Sequence, residues 1–174
     1  VDTWWDLGMN DATAIWFSQT IGNEIRLIDY YENSGEGLSH YAEILVEKNY
    51  HYKSHNAPHD IRVRELGTGV ARIEIAAKLG IKFNIVNNLP IHDGINAVRS
   101  ILSRCYFDHN KCQYGLKCLK HYRKKYMHQY SAYSFKPLHD WTSNAADSFR
   151  YLAIGHKDIV LSLIHISEPT RQDR

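Results

Sequence analysis

The chain has 174 residues, 44% of them hydrophobic and 23% charged, with a formal net charge of +2. That is enough for one domain with a real core, and the balance excludes a disordered chain. No apolar run approaches the roughly 20 residues that span a bilayer, and no signal-peptide pattern opens the sequence.

The first residues, VDTWWDLG, begin in mid-strand without an initiator Met, and the chain reads as a fragment of a longer protein. Residues 2–8, 12–19 and 24–32 are rich in Trp, Ile, Phe and Tyr, and GMND and IGN between them are turn chemistry. Three strands joined so briefly predict an antiparallel meander. SGEGLSHYAEILVEKN predicts a helix over about 37–49, with Leu38, Tyr41, Ala42 and Leu45 at helical spacing. HYKSHNAPHDI reads as a short strand ending at Pro58, His59 and Asp60. GTGVARIEIAAKLGI gives a glycine turn and a helix over about 69–79, stopped by Gly80.

KFNIV is a buried-looking strand. HDGINAVRSILSRCYF predicts a helix with Asp93 as N-cap and Ile95, Val98, Leu102 and Cys105 on its inner face. Another helix is expected over about 113–129, and SFKPLHD leads into a last one from about 140. The order β-β-β-α-β-α-β-α-α-α describes an α/β fold, a mixed sheet with helices on its faces. With no internal repeat or linker, residues 1–158 form one domain. The tail over 159–174 contains SLIHISEPTR, which resembles translated sequencing-adapter read-through more than native protein. It is expected to be non-native or disordered.

Charge is unevenly spread. Residues 1–50 carry nine Asp/Glu against two Lys/Arg, whereas 109–138 carry seven Lys/Arg and no acid. Such a division suggests metal ions held by one region and a polyanion by the other, against the plainer alternative of solvated surface charge. The cysteines, Cys105, Cys112 and Cys118, are odd in number and lack a CxxC. Cys118 and His121 have zinc-like spacing in an incomplete ligand set, so reduced thiols are the better reading.

Three acids stand out. Asp6 ends a strongly apolar first strand, where a carboxylate costs desolvation energy unless it is paired or binds a cation. Taken alone it also reads as a turn cap before Gly8. Asp60 lies at the carboxyl end of a strand, where ligand sites of open α/β sheets collect, or it is a loop acid. Asp147 sits in WTSNAADSFRYLAIG, on a stripe with Asp140, Asn144 and Tyr151, opposite a core face of Trp141, Ala145, Phe149 and Leu152. That stripe faces either solvent or a site. Two strand-end acids and one helix acid can converge on one or two Mg²⁺ or Mn²⁺ ions, which need only oxygen ligands and keep several waters. GLKCLKHYRKKYMHQY supplies Lys117, Lys120, Arg123, Lys124 and Lys125, interleaved with Tyr122, Tyr126 and Tyr130. It is a natural track for a phosphate backbone, or else a solvated amphipathic helix.

The element order, with an acid in strand one, after strand four and in the last helix, resembles the RNase H-like superfamily. More narrowly, WDLGMNDATAIWF, PHDIRVRELGTGVARIE, LPIHDGINAVRSIL and PLHDWTSNAADSFRYLA resemble the C-terminal nuclease domain of tailed-phage terminase large subunits, over roughly residues 1–156. The resemblance implies an RNase H-like mixed sheet, an antiparallel three-strand meander plus parallel strands, flanked by helices. It implies a metal-dependent endonuclease that cuts concatemeric double-stranded viral DNA during packaging in the host cytoplasm, with no membrane involved. Asp6, Asp60 and Asp147 would be the catalytic metal ligands, with His59, Asp140 and Asn144 supporting them. The terminase ATPase domain, the portal and the small terminase subunit would be partners.

One departure matters: family members commonly carry histidine where this chain has Asn144, whose amide does not titrate near neutral pH. No GxxxxGK[ST] occurs, so this chain alone is not expected to hydrolyse ATP. GTG at 67–69 is either a phosphate site at a helix start or a plain turn. The alternatives are another RNase H-like nuclease, of resolvase or transposase type, and an idle DNA-binding or docking module. GINAVR and HDWTS…AD favour the terminase reading.

Overall fold

The computed structural model describes residues 1–8, 12–64 and 69–167, with side chains described as far as His156. Strands β1 (Asp2–Asp6), β2 (Ala12–Ile21) and β3 (Glu24–Ser34) form the expected antiparallel meander. Helix α1 (Leu38–Lys48) then crosses to β4 (Ser54–Ala57), which pairs parallel to β1. After a 3-10 turn, His59–Arg62, come α2 (Arg72–Lys78) and β5 (Phe83–Ile85), parallel to β4. Helix α3 (Ile91–Ile101) leads to β6 (Cys105–Phe107), parallel to β3. The sheet order is therefore β5-β4-β1-β2-β3-β6, the mixed sheet the sequence predicts.

Strand β1 is interior to this sheet, which explains why it is apolar on both sides rather than alternating. Trp4 packs with Trp16, Leu27, Ala97, Phe149 and Leu152 on one face; Trp5 packs with Ile15, Phe17, Tyr41, Leu45 and Ala76 on the other. Helix α4 (Gln113–His121) and the long α5 (Ser143–Ser167) lie with α3 on the Trp4 face. Two buried bonds tie α5 to the sheet: Trp16 Nε1 donates to the Ala145 carbonyl at 2.9 Å, and Ser148 Oγ donates to the Trp4 carbonyl at 2.7 Å. Each buried donor needs such a partner, because leaving it unmade costs about 1–3 kcal/mol.

Four expectations need correction. The helix over 113–129 ends at His121; beyond it β7 (Lys124–Met127) and β8 (Ala132–Pro137) form a separate two-stranded hairpin. Tyr126, Tyr130 and Tyr133 suit a strand as well as a helix, and clustered lysines pull the pattern toward neither. Helix α3 stops at Ile101, so Cys105 falls on β6, and the helix buries Gly94, Ala97 and Ile101 while Leu102 is exposed. Small residues at 94 and 97 let α5 come close, which moves the inner face one position from where apolar size alone puts it. Pro90 caps α3, and Asp93 sits inside its first turn, where it still complements the helix dipole. Helix α5 begins at Ser143 rather than 140.

Helix α2 is stopped at Gly80, which adopts φ +85°. The GMND turn at 9–11 and Gly67 and Thr68 of GTG lie outside the described residues. The backbone of α5 runs through 159–167, within the expected tail, and 168–174 lie outside the described residues. Among the described residues no helix is long and apolar enough to cross a membrane.

Candidate active site

Asp6 is the last residue of β1, opposite Ala14 on β2, which is opposite Glu32 on β3. Asp6 and Glu32 therefore share one row and one face of the sheet, two strands and about 10 Å apart. It is the face that carries Trp4, Trp16 and Tyr30 and meets α5. Asp60 stands in the 3-10 turn three residues past β4, and because β4 runs parallel to β1 both strands deliver their acids to the same sheet end. Asp147 comes down from α5, one residue before the Ser148 tie to Trp4.

The charges of these acids reach one another. Burial raises the Asp6 carboxyl well above the ordinary aspartate range, and Asp147, Asp60 and Glu32 push it further by charge repulsion. Burial likewise raises Asp147, against which the charges of Arg150 and His139 act. Tyr151 is raised first by burial and then by Asp6, with Asp147 and Asp60 contributing. Asp60 Oδ1 is buried and has no hydrogen-bond partner. An ionised oxygen in that state is costly unless a cation takes it.

The other expected residues are placed differently from one another. Asp140 accepts from the Thr142 backbone N–H at 3.0 Å and from Thr142 Oγ1 at 2.6 Å, and pairs with Arg123 at 3.5 Å. It thus secures the start of α5. Asn144 hydrogen-bonds Glu32, opposing the rise that burial imposes on that carboxyl. His59 is exposed in the Asp60 turn. Lys117 and Lys120 lie on α4, with Lys117 Nζ 5.5 Å from the Trp141 ring centroid; Arg123 follows the helix, and exposed Lys124 and Lys125 begin the hairpin. The three cysteines are free, and His121 Nδ1 bonds the Lys117 carbonyl at 2.8 Å.

Glu32 was missed. Its carboxylate accepts from Tyr30 Oη as well as Asn144, and the signal that reveals it is register: only pairing β1, β2 and β3 puts it in the Asp6 row. Arg150 was missed too. Its Nη2 lies 3.0 Å from Asp147 Oδ1, and its guanidinium sits over the Tyr151 ring at 5.2 Å.

Hard oxygen donors, one of them orphaned, fit Mg²⁺ or Mn²⁺. As the side chains stand, no three carboxylate, imidazole or thiol groups among the described residues are arranged to hold a metal ion. A cavity of about 470 Å³ lined by Asp93, Asn96, Ser100, Arg104 and His156 touches none of the three acids. The candidate site is instead a partly buried cluster at the carboxyl end of the sheet.

Neither a protein-family model nor a curated protein sequence matches the chain. Its fold is similar to solved large-terminase structures. The nuclease domain of the large terminase of bacteriophage SPP1, with bound Mn, aligns at TM-score 0.65 and 13% identity, covering 90% of this chain and 85% of that one. The P22 large terminase nuclease domain aligns at 0.66 and 15% identity, covering 88% and 79%. The large terminase of thermophilic bacteriophage D6E aligns at 0.66 and 15% identity over 87% of this chain. The chain spans 38% of the length of that D6E protein. The fold is thus similar to that of these large-terminase nuclease domains.

Proposed function

We propose that this chain is a divalent-metal-dependent endonuclease domain that cuts double-stranded DNA, in the setting of viral genome packaging. Asp6, Asp60 and Asp147 would hold one or two Mg²⁺ or Mn²⁺ ions. Bound there, such ions activate a water and stabilise the leaving oxygen of a phosphodiester. The observation that carries the reading is the convergence of three carboxyls from separate elements, with the Asp60 Oδ1 atom buried and unpartnered. A partly buried acid cluster with one oxygen left unpartnered is a standing cost to the fold, so a function that brings a further cation to it is the economical explanation.

The chain's own groups divide the remaining work. The backbone at Asp6 and Asp147 is held by the sheet and by the α5 ties, so the two side chains start from fixed positions. Glu32, bonded by Tyr30 and Asn144, lines the same row and keeps the floor of the site polar. With Asn144 where the resembled family commonly has histidine, this position orients Glu32 and moves no proton near neutral pH. Lys117, Lys120, Arg123, Lys124 and Lys125 would bind the DNA backbone without sequence preference. Partnership with an ATPase domain, the portal and a small terminase subunit belongs to the same proposal, as does action in the host cytoplasm.

Nicking of supercoiled plasmid in Mn²⁺ tests the reading. The chain should cut, and Asp147→Asn should lower the rate about 10²–10³-fold, the scale of losing a principal electrostatic element of a site, while DNA binding survives. Undiminished cutting by Asp147→Asn would remove the assignment. Binding without cutting in either metal would favour the idle DNA-binding module.

A further inference from the structure

We propose that Arg150 is a built-in counter-cation of the acid cluster, one that a divalent ion must displace from Asp147 in order to bind. This rests on the reading of Asp6, Asp60 and Asp147 as metal ligands. Arg150 follows Asp147 by three positions on α5, so the two side chains share a helix face. Its Nη2 stands 3.0 Å from Asp147 Oδ1, with the side chains only 12% and 27% exposed. Its charge also reaches Asp6, where it opposes the repulsion from the other acids.

Two details separate this arginine from an ordinary structural one. Its Nε is buried without a partner, whereas an arginine kept for its fork normally satisfies it. It is seated for its charge. The seat is cut by Gly94 on α3: a Cβ there would come within 2.5 Å of Arg150 Cδ and 2.6 Å of Cγ. Glycine inside a helix costs about 0.5–1 kcal/mol against alanine, so Gly94 needs a reason, and the arginine stem passing over it supplies one. This gives a physical role to the glycine of the GINAVR run.

The state of the acids agrees. Asp147 is drawn to Arg150, Asp60 Oδ1 is left unpartnered, and no three acids among the described residues are arranged to hold an ion. The cluster is held short of a metal-binding arrangement by a cation already in residence. A metal ion at Asp147 would face the guanidinium at close range in a partly buried place, where like charges repel strongly. Ion and arginine therefore compete for one carboxylate.

Mn²⁺ binding to the metal-free protein without DNA, followed by the electron paramagnetic resonance of free Mn²⁺, reads this directly. Wild type is compared with Arg150→Gln and with Gly94→Ala, which keeps every charge and dislodges the arginine stem. Both variants should bind Mn²⁺ about tenfold tighter, the scale of one charged hydrogen bond. Equal or weaker binding in folded variants would overturn the proposal, because Arg150 would then be holding Asp147 for the ion. If Arg150→Gln does not fold, Gly94→Ala decides alone. A wild type that binds no Mn²⁺ would remove the underlying metal assignment and the competition with it.

Discussion

The acid end of the sheet and the basic hairpin are built by opposite means. Asp6, Glu32 and Asp147 hang from the interior strand β1, from β3 two strands away, and from a helix bonded to β1 and β2, above a core that includes fully buried Trp16 and Phe149. The hairpin β7–β8 is a two-stranded sheet of its own, with Phe135 82% exposed and Tyr130 and Tyr133 nearly as open. An isolated hairpin is marginal by itself. On the proposed function, the difference teaches where geometry is required: bond cleavage would need carboxylates held to a fraction of an ångström, whereas gripping a phosphate backbone would need only charge within reach.

That contrast can be broken at either end. The largest effect should come from Trp16→Ala, which removes the aromatic packed against Tyr30, Phe107 and Phe149 and the donor to Ala145. A loss of about 3–5 kcal/mol in denaturant unfolding is expected. In contrast, Phe135→Ala should change stability by less than about 0.5 kcal/mol. If the two variants cost alike, the hairpin is part of the core after all.

Next in size, reversing Lys124 and Lys125 to Glu should weaken DNA binding steeply and lower the salt-dependence slope by about 2, with the melting temperature unchanged. Unchanged binding would take the hairpin out of the DNA track.

The smallest effect concerns pH. Asp6, Glu32 and Asp147 all have raised pKa values, with burial the first cause in each. The folded state keeps protons that the unfolded chain releases, so this contribution is complete below the ordinary carboxylate value near about 4 and is lost as pH rises through the raised values. Metal-free protein should therefore melt lower as pH climbs through that window, and Asp6→Asn should flatten the trend. A flat wild-type profile would mean that these carboxyls are not buried as the fold places them. Asp140, lowered by its Thr142 bonds, acts in the opposite sense and below this window.

How legible each part was follows the same division. The meander, α1, β4 and α2 could be read because apolar periodicity and turn residues agree there; Asp6 and Asp147 drew notice by interrupting such a pattern, and Asp60 by its place past a strand end. Glu32 interrupts nothing: in DYYENSGEG it looks like a strand-end charge, and only cross-strand register gives it neighbours. Arg150 is equally silent until Gly94, fifty-six positions earlier, is seen beneath it. The hairpin was lost because tyrosine-rich, lysine-rich sequence carries no clear period, and its strands are fixed by each other rather than by a core.

The ties of α5 to Trp16 and Trp4 have a mechanical consequence. Asp147 lies between two latches, at 145 and 148, less than one helical turn apart. A shaft pinned twice in so short a length can neither roll nor slide. The helix is indexed like a keyed axle, and a one-residue insertion upstream of 145 would be absorbed in the loop, whereas one between the pins would swing Asp147 by about 100°. Moving Asp147 with its backbone would therefore mean breaking at least one of these two buried bonds.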